Sequence, residues 1–187
     1  MLKFLKISLC VSLIILTLLL GYGAIITVKS EISYPIPQLL CGHNVKRNVI
    51  SQLYSEKTDD ILSNNEYKQL IESELSIAPY KFYIKELSNI NGDCNLYFRT
   101  ITIESSRKGV FFARTFTHEA LHLKYLTGDE IYVCYETFKY LYENENKYLH
   151  NAGVYYAIDI LEHNVAEEYN ITNQIMYYFL MEGDDEK

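Results

Sequence analysis

The sequence lacks any cluster of basic residues: its densest cationic groups are the pairs Lys46-Arg47 and Arg107-Lys108. Nucleic-acid binding needs Lys and Arg gathered along one face to displace counterions, so nucleic acid is excluded as a partner. The formal charge of −7 understates the imbalance, because Lys3, Lys6 and Lys29 flank an apolar N-terminus. The rest of the chain carries 14 basic against 24 acidic residues. Also missing is any C-x-x-C pair among the four cysteines, which removes the usual zinc-knuckle and dithiol redox patterns. There are no internal repeats and no low-complexity tracts. Shortage of apolar residues is not among the absences. With 49% hydrophobic residues and 18 tyrosines, the chain is not intrinsically disordered, and 187 residues suit one compact domain with one site.

Ile7 to Val28 is an uncharged run of 22 residues. At about 1.5 Å rise per residue it spans roughly the 30 Å hydrocarbon core of a bilayer. Residues 1–29 are read as a single-pass membrane helix, the rival being a cleaved signal peptide ending near Gly21-Tyr22-Gly23. The lysines before the run place the N-terminus on the cytoplasmic side and the domain outside the cytoplasm. Cys10 falls within the run, and Cys41 with Cys94 forms a candidate disulfide for an exported domain.

Residues 30–37, with Pro35 and Pro37, read as an extended linker, residues 38–181 as the domain and residues 182–187 as a charged tail. The expected fold class is α+β, mostly helical. Two amphipathic helices occupy residues 45–75, broken near Ser63-Asn64-Asn65. Lys81 to Ile84 and Asn95 to Glu104 read as two antiparallel strands around the turn Asn91-Gly92-Asp93. Ser105 and Ser106 offer a cap for a helix from Lys108 to about Tyr125. Further helices are expected over Asp129–Tyr142, Leu149–Tyr169 and Ile171–Met181.

The chemistry lies in the helix from Lys108 to about Tyr125, which carries His118-Glu119-Ala120-Leu121-His122. Residues i and i+4 share one helix face, so two imidazoles can reach one ion, with Glu119 turned about 100° aside as a general base. Phe111, Phe112, Phe116, Ala120, Leu121 and Leu123 cover most of the remaining circumference, which marks a buried helix. Unpaired polar groups there would be costly, so the histidines need partners: an ion, or backbone and tyrosine groups of the core.

A catalytic zinc ion takes three protein ligands and leaves one position open. The metzincin pattern is excluded, because Gly128 stands where its third histidine belongs. The next helix offers Glu130, Glu136 and Asp129. Its apolar stripe, Ile131, Cys134, Phe138 and Leu141, brings Glu130 closest to the core-facing side, whereas Glu136 lies roughly opposite. Glu130 is therefore the expected third ligand.

The strand NLYFRTITIE followed by a helix bearing THEALHLKY resembles the zincin metallopeptidases, and the glutamate on the following helix resembles their gluzincin branch. The segments GDEIYVCYETFKYLYEN and KYLHNAGVYYAI also resemble those of uncharacterised bacterial membrane-associated zincin-like proteins, in which an acidic, aromatic helix is followed by a Tyr/Gly-containing turn. Val133-Cys134 replaces the usual Ala-Asn. The resemblance implies a Zn²⁺ cofactor held by His118, His122 and Glu130, with Glu119 as catalytic base and a peptide or protein as substrate. It also implies a substrate-aligning edge strand at residues 95–104. For the oxyanion donor, His150, Tyr155, Tyr156 and His163 are equal candidates. The competing reading is a membrane-anchored binding protein with the same fold and no catalysis. No feature of the sequence sets the oligomeric state.

Overall fold

A computed structural model describes residues 43–163 and 169–185 as an α+β assembly of six helices and a three-stranded sheet. The helices are α1 (His43–Glu56), α2 (Asn64–Leu75), α3 (Val110–Tyr125), α4 (Glu130–Tyr142), α5 (Lys147–His163) and α6 (Tyr169–Asp185). The strands are β1 (Lys81–Lys85), β2 (Gly92–Asn95) and β3 (Thr100–Glu104). The apolar run Ile7–Val28, the linker 30–37, Cys10, Cys41 and the proposed Cys41–Cys94 bridge lie outside the described residues. Among the described residues, no helix is long and apolar enough to cross a membrane.

The sheet departs from the antiparallel expectation. Its order is β1-β3-β2, with β1 parallel to β3 and β2 antiparallel to it. The long strand-like segment Asn95–Glu104 is in fact the turn and second strand of a hairpin whose first strand is Gly92–Asn95. Asn95 ends β2, its side chain accepts a bond from the Phe98 amide at 2.9 Å, and Arg99 takes a left-handed turn at φ 49° before β3 begins. β-propensity across Leu96-Tyr97-Phe98 hid that turn. The strand leading to the motif helix is consequently central, and the edge beside the site is β2.

Ile101 and Ile103 of β3 are fully buried against α3. There Phe112 and Phe116 stack at 5.7 Å, and Phe82 of β1 meets both edge-on at 6.3 and 5.6 Å. Tyr67, Ile71 and Leu75 of α2 close the same core. A second core joins α1, α5 and α6 through Leu53, Ala157, Leu161 and Ile175. Helix α4 stands between the two. Val133 and Leu141 enter the first core and Phe138 the second, while the expected stripe members Ile131 and Cys134 are only half-buried. The true buried row continues through Thr137, whose hydroxyl is satisfied by the Val133 carbonyl at 2.7 Å.

Other boundaries shift for local reasons. Ser63 is the N-cap of α2 in a capping box with Glu66, so Ser63-Asn64-Asn65 opens that helix and the break precedes it. Ser105 and Ser106 bond the Glu104 carboxylate and cap nothing. Helix α3 starts instead after Gly109, at φ 56°, whose amide donates to the Asn64 side chain at 3.0 Å. Phe111, expected in the core, is 45% exposed. Gly153, placed in a turn by the resemblance, lies inside α5. There a β-carbon would stand 2.4 Å from the Tyr142 amide nitrogen, so glycine lets α5 cross the end of α4 at close range. Helix α6 runs on to Asp185, into the expected tail.

Candidate metal centre

Buried helix α3 fixes His118, Glu119 and His122 in the first core, and the chain between α3 and α4 is short. Leu126 closes α3 in a left-handed cap at φ 51°, its amide bonded to the His122 carbonyl. Thr127 follows, 2% exposed. Its hydroxyl accepts the Asp129 amide at 3.1 Å, and the Asp129 carboxylate accepts the Tyr132 amide at 3.0 Å, starting α4. This loop delivers Glu130, the first residue of α4, to the two histidines.

Two imidazoles and one carboxylate converge. His118 Nε2 lies 3.0 Å from His122 Nε2 and 3.0 Å from Glu130 Oε2, and His122 Nε2 lies 3.3 Å from Glu130 Oε1. A tetrahedral zinc ion with Zn–N bonds of about 2.0–2.1 Å sets its donors about 3.3 Å apart, so this triangle fits such an ion. Glu119, 6% exposed, forms a compact group with both histidines, all ligand atoms within 4.8 Å of one another. Of the other carboxylates considered, Glu136 accepts from the Tyr125 hydroxyl at 3.3 Å and Asp129 is used as the cap. Neither joins the triangle.

The second ring nitrogens are also held. His122 Nδ1 donates to the Thr127 carbonyl at 2.7 Å, so in the neutral ring the lone pair lies on Nε2. His118 Nδ1 faces Cys134 Sγ at 3.7 Å. Thus the Val133-Cys134 pair puts a thiol behind the His118 ring.

The electrostatics follow from burial and the shared carboxylate. Burial lowers the His118 pKa against the pull of Glu130, whereas for His122 burial is outweighed by the hydrogen bonds that the ring donates to Glu130 and the Thr127 carbonyl, and its pKa is raised. Hydrogen bonds from both histidines hold Glu130 well below the usual carboxylate range. Burial pushes Glu119 up to about 8 in the metal-free protein. An adjacent dication would reverse that preference and favour the ionised carboxylate.

A cleft of about 590 Å³ opens over these groups, bordered by β2, α3, the α3–α4 loop and α5. Gly92 explains how β2 comes so close: a β-carbon there would lie 2.7 Å from Glu119 Oε1 and 2.8 Å from Thr115 Cγ2. Cys94, on the same strand, is a half-buried thiol pushed up to about 12 by burial and then by Glu119. Among the four oxyanion candidates, Tyr156 lines the cleft. His150 instead bonds the Tyr142 carbonyl at 2.5 Å, Tyr155 packs at the first core under Lys57, and the side chain of His163 lies outside the described residues.

From sequence, Gly92 reads only as a turn residue and Cys134 only as part of an apolar stripe, and Thr127 and Arg114 are not singled out, yet all four line the cleft. Only Arg114 carried a usable signal, its position four residues before His118 on the same face. No protein-family model, curated protein or solved structure matches the chain.

Proposed function

We propose that the chain is a zinc-dependent metallopeptidase, with His118, His122 and Glu130 as ligands and Glu119 as general base. The observation that carries this reading is the convergence of His118 Nε2, His122 Nε2 and the two oxygens of the Glu130 carboxylate at 3.0, 3.0 and 3.3 Å, drawn from two helices, with a buried carboxylate beside it. Random packing of core histidines does not require a carboxylate from the first turn of the next helix to face both rings while a second carboxylate, that of Glu119, points into the same cleft.

Zinc bound there would polarise a substrate carbonyl and acidify the attacking water. The protein residues do the rest. Glu119 accepts the proton as water oxygen bonds to the carbonyl carbon, then returns it to the amide nitrogen as the C–N bond breaks. Thr127 and Cys134 hold the imidazole planes, and Gly92 leaves space for the Glu119 carboxylate. The substrate-aligning edge in this reading is β2, residues 92–95, since β3 already has a strand on each side. Membrane anchoring through Ile7–Val28, with the catalytic domain outside the cytoplasm, belongs to the same proposal.

The test is zinc content and peptide hydrolysis of purified wild-type, Glu130→Ala and Glu136→Ala protein. Stoichiometric zinc in the wild type and Glu136→Ala, with loss in Glu130→Ala, is expected. No zinc in the folded wild type would sink the enzyme reading in favour of a binding protein whose His-His-Glu cluster satisfies itself by hydrogen bonding.

A further inference from the structure

The described residues that line the cleft include three carboxylates, Asp93, Glu119 and Glu130, and a single Lys or Arg, which is Arg114. Cationic side chains are scarce throughout this acidic chain, so the placement of one beside the site calls for a cause. Arg114 stands about one helical turn before His118, and helix geometry puts both side chains on one face about 6 Å apart along the axis. Its charge is felt at the His118 ring.

Two contacts on α5 immobilise the guanidinium. One terminal nitrogen pairs with the Asp159 carboxylate, and the central carbon sits 4.8 Å over the Tyr156 ring. The Arg114 side chain is 19% exposed, so part of it stays open to the cleft. A guanidinium presents five N–H donors in a rigid plane, and a bond from one nitrogen leaves the others available. Held from behind by an acid and from one face by a ring, it is pre-organised to grip a second planar acid.

We propose that Arg114 is a carboxylate-binding subsite of the cleft and selects peptides that carry a carboxylate close to the scissile bond. This rests on the metallopeptidase reading and gives it a substrate class. An extended peptide advances about 3.3–3.6 Å per residue, so one or two residues span the helical turn between His118 and Arg114. The carboxylate is therefore either a C-terminus one or two residues beyond the cleaved bond, or a nearby Asp or Glu side chain. Asp159 sets the orientation of Arg114 and keeps the empty subsite close to neutral.

The test uses zinc-loaded full-length protein in detergent and two probes, succinic acid monohydroxamate and its methyl ester, with binding read by calorimetry. The hydroxamate end is common to both, and only the acid offers a carboxylate. The acid is expected to bind about ten- to a hundredfold more tightly, the range of a charge-assisted bond. That preference should vanish in Arg114→Gln and persist in part in Arg114→Lys. Equal binding of acid and ester by wild-type protein that holds zinc overturns the subsite and leaves the metallopeptidase reading standing. Failure of the protein to hold zinc at all removes both. Competition against the acid probe by a peptide with a free C-terminus, by its C-terminal amide and by an amide with an internal glutamate separates the sources. Competition by the plain amide as strong as by the other two also overturns the proposal.

Discussion

Glu119 and Cys134 are the residues whose roles separate most cleanly by measurement. In the metal-free protein burial holds the Glu119 pKa near 8 against 4.5 for an ordinary glutamate, so the folded state binds its proton more tightly than the unfolded chain. Stability contributed by that group is complete below pH 4.5 and is lost as pH rises toward about 8. The melting temperature of metal-free protein should fall by several degrees across this window, and Glu119→Gln should flatten the decline. An unchanged slope in the variant would remove Glu119 as its source. Cys134 acts through His118 Nδ1, at 3.7 Å. Its replacement by alanine should weaken zinc binding about tenfold or more in a chelator competition, with serine retaining most of the affinity. Equal affinities in all three proteins would show that the thiol only fills space.

At the scale of elements, the motif helix and its successor were legible in sequence, because His118, Glu119, His122 and the apolar residues around them keep helical phase. The phase of α4 also picked out Glu130, although from a stripe that proved half right. Thr137 concealed the buried row, since a hydroxyl satisfied by its own helix behaves as an apolar group when buried. The sheet was less legible: a hairpin of four and five residues with aromatic turn positions reads as one strand, and nothing local announces the parallel pairing of β1. Close helix crossings are invisible as well. Gly153 is surrounded by residues that favour a helix, and only the approach of Tyr142 explains it. Gly153→Ala should cost about 1–3 kcal/mol in denaturant unfolding, despite the better helix propensity of alanine. A neutral or stabilising result would mean that the α4–α5 contact yields easily.

For the whole molecule, the two cores meet along α4, and the candidate centre lies at the end of that helix where β2, α3 and α5 come together. An ion held there ties α3 to α4, so it stabilises more than one loop. Addition of zinc to a hundredfold excess over its dissociation constant should raise unfolding free energy by at most about 2.7 kcal/mol, and a chelator should remove that gain. A melting curve indifferent to both would place the ion, if any, outside the folded core.

The brevity of the loop from His122 to Glu130 has a further effect, on the order of assembly. Every proposed ligand and the base fall between residues 118 and 130, so the chain need close only a very short loop to gather them. The centre is thus a local event in folding, independent of the slower pairing of β1 with β3. A nascent α3–α4 hairpin would already offer the ion a foothold. By binding the unfolded ensemble as well as the native one, zinc would then stabilise the finished protein less than its affinity alone implies, while guiding the hairpin to form first.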